Sequence, residues 1–320
     1  MWNPVTGCTK VSAGCKHCYA EKIAHRFWPK SRKFTDVQCH PDRLDQPIRW
    51  RKPQRVFVNS MSDLFHEKVP DEFIAEVFGV MAVAGAGDDD SGNRPFGGTW
   101  RDNILAHRYG PHTFQVLTKR DKRMQNLLSS RSFREKVAGA AYRWAHNKRD
   151  AGYLSDCISH TAPGRAGRYW PLSNVHLGVS CENQAVADER IPLLLRTPAA
   201  RRFVSLEPLL GPIDLLYPDS LWPHGPPYCC NGIGCGCRGR PFAPPFIWAP
   251  DDQGIAQVIV GGESGPGARP CHVDWIRHIV QQCREAEVPV FVKQDFGPRP
   301  GMQGRIPDDL WIKELPDGRL

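Results

Sequence analysis

The feature that most constrains the fold is a repeated pairing of a short apolar segment with a helical pattern. Helical patterns are predicted over about Asp71–Ala84, from about Asp121, near Gln184–Leu195 and over Val273–Ala286. Segments rich in β-branched residues recur at Arg55–Ser60, His112–Thr118, Val175–Ser180, Arg202–Leu206, Gln257–Gly261 and Val288–Lys293. Near-continuous apolar strands alternating with helices are typical of a parallel sheet covered by helices. The sequence therefore predicts an α/β fold.

Polar side chains follow each of the predicted strands. The set comprises Asn59, Ser60, Asp63, Lys119, Ser180, Glu182, Asn183, Glu207, Glu263, Ser264, Lys293 and Gln294. The active site of a β/α barrel lies at the carboxyl ends of its strands, whereas a doubly wound sheet concentrates its ligands at one switch point. No Gly-x-Gly-x-x-Gly turn follows the first strand, so a dinucleotide fold gets no support. We therefore expect a single partial β/α barrel domain over residues 1–320.

Three segments interrupt this pattern and are interpreted as insertions, at about 85–98, 147–170 and 218–250. The first is polar and rich in glycine, and the second is basic and lacks clear periodicity. The third is rich in proline, glycine and cysteine, which excludes a regular helix there.

A cysteine motif lies near the beginning of the chain, in WNPVTGCTKVSAGCKHCYAE. Cys8, Cys15 and Cys18 have the spacing C-x6-C-x2-C, and two cysteines separated by two residues can reach one metal centre from a tight turn. Three thiolates on a four-iron cluster leave one iron open for catalysis. Zinc is the main alternative, with His17 or His25 as a fourth ligand. Three unrelated thiols are the remaining interpretation.

A second group of cysteines lies in the segment YCCNGIGCGCR, at Cys229, Cys230, Cys235 and Cys237. Either zinc or a second iron–sulfur cluster would suit four thiols interleaved with glycine. The spacing is not that of a standard zinc knuckle, so zinc and a second iron–sulfur cluster are both kept as interpretations.

The motif around the three N-terminal cysteines resembles that of the radical S-adenosylmethionine (SAM) superfamily, whose usual spacing is C-x3-C-x2-C. Together with FQVLTKR, LGVSCENQ, RFVSLEPLLGPIDL and VIVGGESGPGARP, the chain resembles more closely an uncharacterised family of phages and bacteria. The resemblance implies a barrel of the radical SAM type that holds a 4Fe–4S cluster and SAM. It also implies a one-electron reductant and reductive cleavage of SAM to a 5′-deoxyadenosyl radical.

The same resemblance assigns roles to the strand-end residues. Cofactor-binding roles are expected for Ser60, Ser62, Asp63, Ser180, Glu182, Asn183, Gly261, Gly262 and Glu263. Asp63 is expected to neutralise the SAM ammonium, and the two glycines to let the adenine approach closely. Lys119, Glu207 and Lys293 are the candidate catalytic residues. A strand-end serine or asparagine that merely caps the next helix is the competing interpretation.

The net charge of +8 favours a polyanionic partner such as nucleic acid. A candidate surface is the basic segment with Arg143, His146, Lys148, Arg149, Arg165 and Arg168, near Tyr142, Trp144, Tyr169 and Trp170. A radical SAM enzyme that modifies or repairs nucleic acid is therefore expected. The alternatives are an enzyme for a small molecule or peptide, and a non-catalytic, metal-stabilised protein that binds DNA or a phage partner.

The cellular location is predicted from the lack of a membrane-spanning segment and of a signal peptide in the sequence. No apolar run is long enough to span a bilayer, and the cysteine motif begins only a few residues after Met1, which argues against a signal peptide. We therefore expect a cytoplasmic protein without a membrane partner. The oligomeric state does not follow from the sequence.

Overall fold

The structure is a computed structural model that describes residues 1–85, 112–145, 148–159, 170–216 and 254–316. The predicted insertion at 218–250 lies outside the described residues, as does all but Gly85 of the insertion at 85–98.

The sheet confirms the α/β prediction. The strands are β1 Val5–Thr6, β2 Gln38–Cys39, β3 Arg55–Val58, β4 Thr113–Thr118, β5 Val175–Ser180, β6 Arg201–Leu206, β7 Ile255–Gly261 and β8 Val290–Gln294. Strands β3 to β8 form one six-stranded sheet in chain order, with parallel pairing of β3 with β4 and of β6, β7 and β8. Unbroken chain order is the arrangement of a β/α barrel, because a doubly wound sheet reverses at its switch point. The sheet is thus consistent with a partial β/α barrel.

The structure has a helix at each of the four predicted positions, and further helices elsewhere. They are α1 Tyr19–Phe27, α2 Gln46–Arg49, α3 Asp71–Ala84, α4 Asp121–Leu128, α5 Arg131–Trp144, α6 Lys148–Ser159, α7 Gln184–Arg196 and α8 Val273–Glu285. Helices α3, α4, α7 and α8 confirm the predictions. The expectation of no periodicity after residue 147 was wrong, because Ala151, Leu154 and Ile158 of α6 are buried at helical spacing.

The chain divides into two compact units. The first comprises Met1–Lys10, Ala20–Gly178 and Arg196–Arg201, and the second Val11–Tyr19, Val179–Leu195 and Arg202–Leu320.

In the first unit, helix α3 packs against α5 at very short range. A Cβ atom on Gly79 would lie 2.6 Å from the Cβ of Ala140, so only glycine allows this approach. Phe78 and Phe133 add an edge-on ring contact at 6.0 Å between centroids. Ten of the fourteen residues of α3 are buried, which its long apolar stretch requires.

The first strand of the chain is very short. Strand β1 has two residues and pairs antiparallel with β2. The segment around it also pairs in parallel with β3 and with the residues after it, through bridges from Trp2 to Val58 and from Gly7 to Ser62. This segment is therefore a short, interrupted strand that leads directly to Cys8.

In the second unit, α8 lies on β7 and β8. The end of the described chain runs antiparallel along β8, where the Val292 amide donates to the Ile312 carbonyl at 2.9 Å and the Glu314 amide to the Val290 carbonyl at 3.1 Å. The edge of β8 that does not pair with β7 is therefore covered by this segment.

Candidate functional site

Cys8, in the first unit, lies beside Arg120, which follows strand β4. The two side chains are 3.7 Å apart, between Arg120 Nη1 and Cys8 Sγ. Burial lowers the pKa of Arg120, but the negative charges of Asp63 and Cys8 outweigh it and raise that pKa. A guanidinium at this distance stabilises a thiolate, which is the form of cysteine that binds metals.

Asp63 is the residue that holds Arg120 in place. Its carboxylate accepts hydrogen bonds from four donors, the Phe65 amide, the Thr118 hydroxyl, the Lys119 amide and Arg120. A carboxylate offers about four lone-pair positions, so these donors use its capacity. Asp63 is also buried. The geometry therefore makes it an organiser of the loop after β3, and these contacts give no support to the expected role with the SAM ammonium.

His66 and Thr9 form a contact that the sequence did not suggest. The Lys68 amide donates to His66 Nδ1 at 3.1 Å, so the neutral ring carries its proton on Nε2 and donates to Thr9 Oγ1 at 2.8 Å. Burial is the main cause that lowers the pKa of His66, followed by the charge of Arg120. Since Thr9 adjoins Cys8 and also accepts from Arg120 at 2.8 Å, this contact fixes the position of the cysteine.

The serines after β3 contact protein groups. The Ser60 hydroxyl donates to Asn3 Oδ1 at 3.2 Å, and the Ser62 hydroxyl donates to the Val5 carbonyl at 2.9 Å. Both hydroxyls thus hold the segment before Cys8, and the expected cofactor roles have no support from these contacts.

Cys15 and Cys18 belong to the second unit, where the loop before Cys15 is tied to the end of β5. The Gly14 amide donates to Glu182 Oε1 at 2.9 Å, and Arg190 Nη1 lies 3.5 Å from Glu182 Oε2. The Glu182 side chain is fully buried. A buried carboxylate needs such partners, because an unpaired charge in the interior is costly. Glu182 therefore anchors the cysteine loop.

Ser180 and Asn183, at the end of β5, contact backbone groups of the protein. The Ser180 hydroxyl donates to the Glu207 carbonyl at 3.0 Å, and Asn183 Oδ1 accepts from the Val186 amide at 3.1 Å. The latter is a helix cap, as the competing interpretation held.

Glu207 and Lys293 are two candidate catalytic residues that the structure brings together. Lys293 Nζ lies 3.1 Å from Glu207 Oε2, and the lysine side chain is half-exposed. Glu207 Oε1 is buried and has no hydrogen-bond partner among the described residues. A buried acceptor without a donor is costly, so this oxygen is the clearest position for a ligand donor. The third candidate, Lys119, follows β4 in the first unit and reaches Asp63 through its backbone amide.

The glycines after β7 are surrounded by protein groups. A Cβ on Gly261 would lie 2.8 Å from Glu207 Oε1, and one on Gly262 would lie 2.3 Å from the Phe296 amide nitrogen. These glycines therefore permit close packing within the chain, and their contacts give no support to an adenine role.

Glu263 is held by Arg269. The guanidinium binds both carboxylate oxygens, at 2.6 and 3.0 Å, and the Arg269 amide adds a third bond at 2.9 Å. Burial raises the pKa of Glu263, but these hydrogen bonds and the charge of Arg269 outweigh it and lower that pKa. His17 lies 3.6 Å from the position of a Cβ on Gly267, so the cysteine loop packs against the loop after β7.

Cys8, Cys15 and Cys18 are not in disulfides and have intermediate exposure, and thiolates are the ligands that soft metals prefer. Cys271 and Cys283 differ, since burial raises the pKa of each thiol to about 12. In the described part of the chain, no three His, Cys, Asp or Glu side chains are already grouped as ligands of one ion. Cys229, Cys230, Cys235 and Cys237 lie outside the described residues.

The predicted basic surface is only partly described. Arg143 and the indole nitrogen of Trp144 both bind the carboxylate of Glu76 on α3, and Tyr142 is exposed. His146, Arg165, Arg168 and Tyr169 lie outside the described residues. The described contacts thus give Arg143 and Trp144 a structural role.

The fold and these contacts define an α/β protein with polar residues after the carboxyl ends of its strands. A family model, described as a protein of unknown function (DUF5131), matches residues 1–87 and 99–305, and the chain belongs to this family. The expected assignment to the radical SAM superfamily is therefore wrong, because the matching family is a different one. No curated protein and no solved structure matches the chain. No helix in the described ranges is long and apolar enough to cross a membrane.

Proposed function

We propose that this protein is an iron–sulfur enzyme that cleaves SAM reductively and acts on nucleic acid in the cytoplasm. The proposal rests on the residues of the chain and does not depend on membership of the radical SAM superfamily. The observation that carries it is the hydrogen bond from the Gly14 amide to Glu182. This bond holds the loop of Cys15 at the carboxyl end of β5, and sites of β/α folds lie at this end of the strands.

Cys8, Cys15 and Cys18 would hold a 4Fe–4S cluster with one open iron. Such a cluster would supply the electron, taken from a one-electron reductant, for cleavage of SAM to methionine and a 5′-deoxyadenosyl radical. Zinc or a second cluster at Cys229, Cys230, Cys235 and Cys237 belongs to the same proposal. The oligomeric state enters no step of it.

The protein side chains would position the reactants. Arg120, fixed by Asp63 and Thr9, stabilises the negative charge of the Cys8 sulfur. Glu207 would offer its Oε1 atom to a hydroxyl or ammonium group of the ligand, and Lys293, on the other oxygen, orients the carboxylate. The buried pairs at Glu182 and Glu263 are anchors for the loops and make no contact with substrate in this scheme.

The test is anaerobic reconstitution with iron and sulfide, followed by dithionite and SAM. We expect about four irons per chain, the absorbance of a cluster, and 5′-deoxyadenosine, all lost in Cys15→Ala. The matched control is Cys157→Ala, which removes a thiol outside the motif. A fully loaded cluster that yields no 5′-deoxyadenosine, with or without nucleic acid, would contradict the proposal. Purified protein that retains zinc at the three cysteines would favour the non-catalytic alternative.

A further inference from the structure

The positive charge of this chain is concentrated at one end. The first 55 residues contain twelve Lys and Arg and four Asp and Glu, which is a net charge of +8. The whole chain has 42 Lys and Arg and 34 Asp and Glu, so the other 265 residues carry 30 of each and no net charge. A segment with charge of one sign favours a polyanionic partner.

Helix α1, which begins directly after Cys18, presents apolar side chains to solvent. Tyr19, Ile23 and Phe27 are 51%, 42% and 70% exposed. They are four residues apart and therefore lie on one face, while Ala20 and Ala24 are buried on another. Large apolar side chains exposed in a contiguous stripe indicate an interaction surface.

Cations flank this stripe. Lys22 and Arg26 are exposed, and each lies three residues from a member of the stripe, Tyr19 or Ile23, so they line its side. The Arg26 guanidinium lies 5.2 Å from the ring centroid of Phe27. We call Tyr19, Lys22, Ile23, Arg26 and Phe27 the α1 surface.

A second group of cations follows the α1 surface along the chain. Arg32 Nη2 donates to Thr6 Oγ1 at 2.7 Å, and His40 Nε2 lies 2.7 Å from the same hydroxyl. Burial and Arg43 both lower the pKa of Arg32, although Asp36 opposes them. Arg32 Nε is buried without a partner among the described residues. An anion nearby would relieve this crowding of positive charge.

We propose that the α1 surface binds single-stranded nucleic acid. The inference rests on the nucleic-acid part of the proposed function and assigns it to a surface beside the cysteine motif. Aromatic rings bordered by cations are the elements that bind unpaired bases and their phosphates, whereas the bases of a duplex are already stacked. A membrane surface can also bind a cationic amphipathic helix, and the vesicle measurement below distinguishes it from a single strand.

The test is fluorescence anisotropy of the full chain with labelled single strands of about 16 nucleotides, both DNA and RNA, over a salt series. Lys22→Glu/Arg26→Glu is expected to reduce the slope of log K against log salt by about 1.4, since each phosphate contact of a single strand contributes about 0.7. Phe27→Ala is expected to weaken binding at least about fivefold through lost base stacking. Tyr19→Ala is expected to act in the same direction.

Matched controls separate the surface from general effects. Arg196→Glu/Arg299→Glu changes the net charge equally at exposed positions, and Met302→Ala removes an apolar side chain that is 54% exposed. Both should leave the slope and the affinity unchanged. Three outcomes would each overturn the inference. The first is equal affinity for duplex and single strand, and the second is an equal loss of affinity in the control variants. The third is binding of anionic phosphatidylserine vesicles without binding of single strands.

The binding assay is repeated with Cys15→Ala, so that the two proposals can fail separately. Unchanged single-strand binding by this variant supports the α1 surface, whatever happens to SAM cleavage. SAM cleavage by a wild-type protein that binds no single strand refutes the α1 surface and leaves the proposed enzyme class standing.

Discussion

Glu182→Gln is the most informative single change, because Glu182 joins the cysteine loop to the sheet. Its two oxygens are used by the Gly14 amide at 2.9 Å and by Arg190 at 3.5 Å, and the side chain is fully buried. Glutamine keeps one acceptor but presents an amide donor to the other partner. Removing one member of a buried ion pair costs about 3–5 kcal/mol. We expect about 3 kcal/mol here, because Arg190 keeps its bond to the Ser180 carbonyl.

The assay is urea unfolding, read as a change in midpoint at constant slope. The control is Glu135→Gln on α5, where the carboxylate is 52% exposed and pairs with Arg131 at the surface. That change should cost less than about 1 kcal/mol. Loosening the loop should also make Cys15 and Cys18 react faster with iodoacetamide. If the two variants unfold at the same urea concentration, Glu182 is not an anchor and the reasoning fails.

Three further predictions concern other residues of the structure. Gly262→Ala should destabilise the protein by about 2 kcal/mol or more, because its Cβ would lie 2.3 Å from the Phe296 nitrogen. Gly152→Ala in α6 should stabilise the protein by about 0.5–1 kcal/mol, because no atom lies within 4 Å of its Cβ position. Thermal melting that ranks the two variants in the reverse order would contradict this. Burial alone would raise the pKa of Glu67, but hydrogen bonds from its own backbone and from Arg120 lower that pKa to about 2. The stabilisation is therefore complete above the ordinary pKa of a glutamate and lost as the pH falls toward 2, so the difference in urea midpoint between wild type and Glu67→Gln should shrink over this range; a constant difference would refute the assignment. Iodoacetamide at neutral pH should label Cys8, Cys15 and Cys18 well before Cys271 and Cys283, whose burial raises their pKa to about 12; mass spectrometry that finds equal labelling would contradict it.

The strands were predictable because their interiors are apolar on both faces. Val175–Ser180 was predicted to the residue, since five of its six side chains are buried. The start of β7 was missed by two residues, because Gln257 is polar. Its side chain is nevertheless buried and donates to the Glu314 carbonyl at 3.3 Å. A partner 57 residues away cannot be read from local periodicity.

The site was predictable in position and less so in role. Strand ends mark where Asp63, Glu182 and Glu207 lie, but their partners come from distant parts of the chain. Asp63 meets donors from the loop after β4, and Glu182 meets the amide of Gly14. Whether a carboxylate faces a ligand or is used by the protein depends on those long-range contacts, so Glu207 stands out only once the structure is known.

The pairing of Ile312–Glu314 with β8 has a consequence for the behaviour of shortened forms of this protein. An exposed edge strand is a template on which other chains can add strands and aggregate. The family match stops at residue 305, before this segment. A form cut at that point would keep every residue of the candidate site that the structure describes, yet the amide of Val292 would be open to another molecule. By pairing with β8, residues 312–314 thus prevent other chains from adding a strand at this edge.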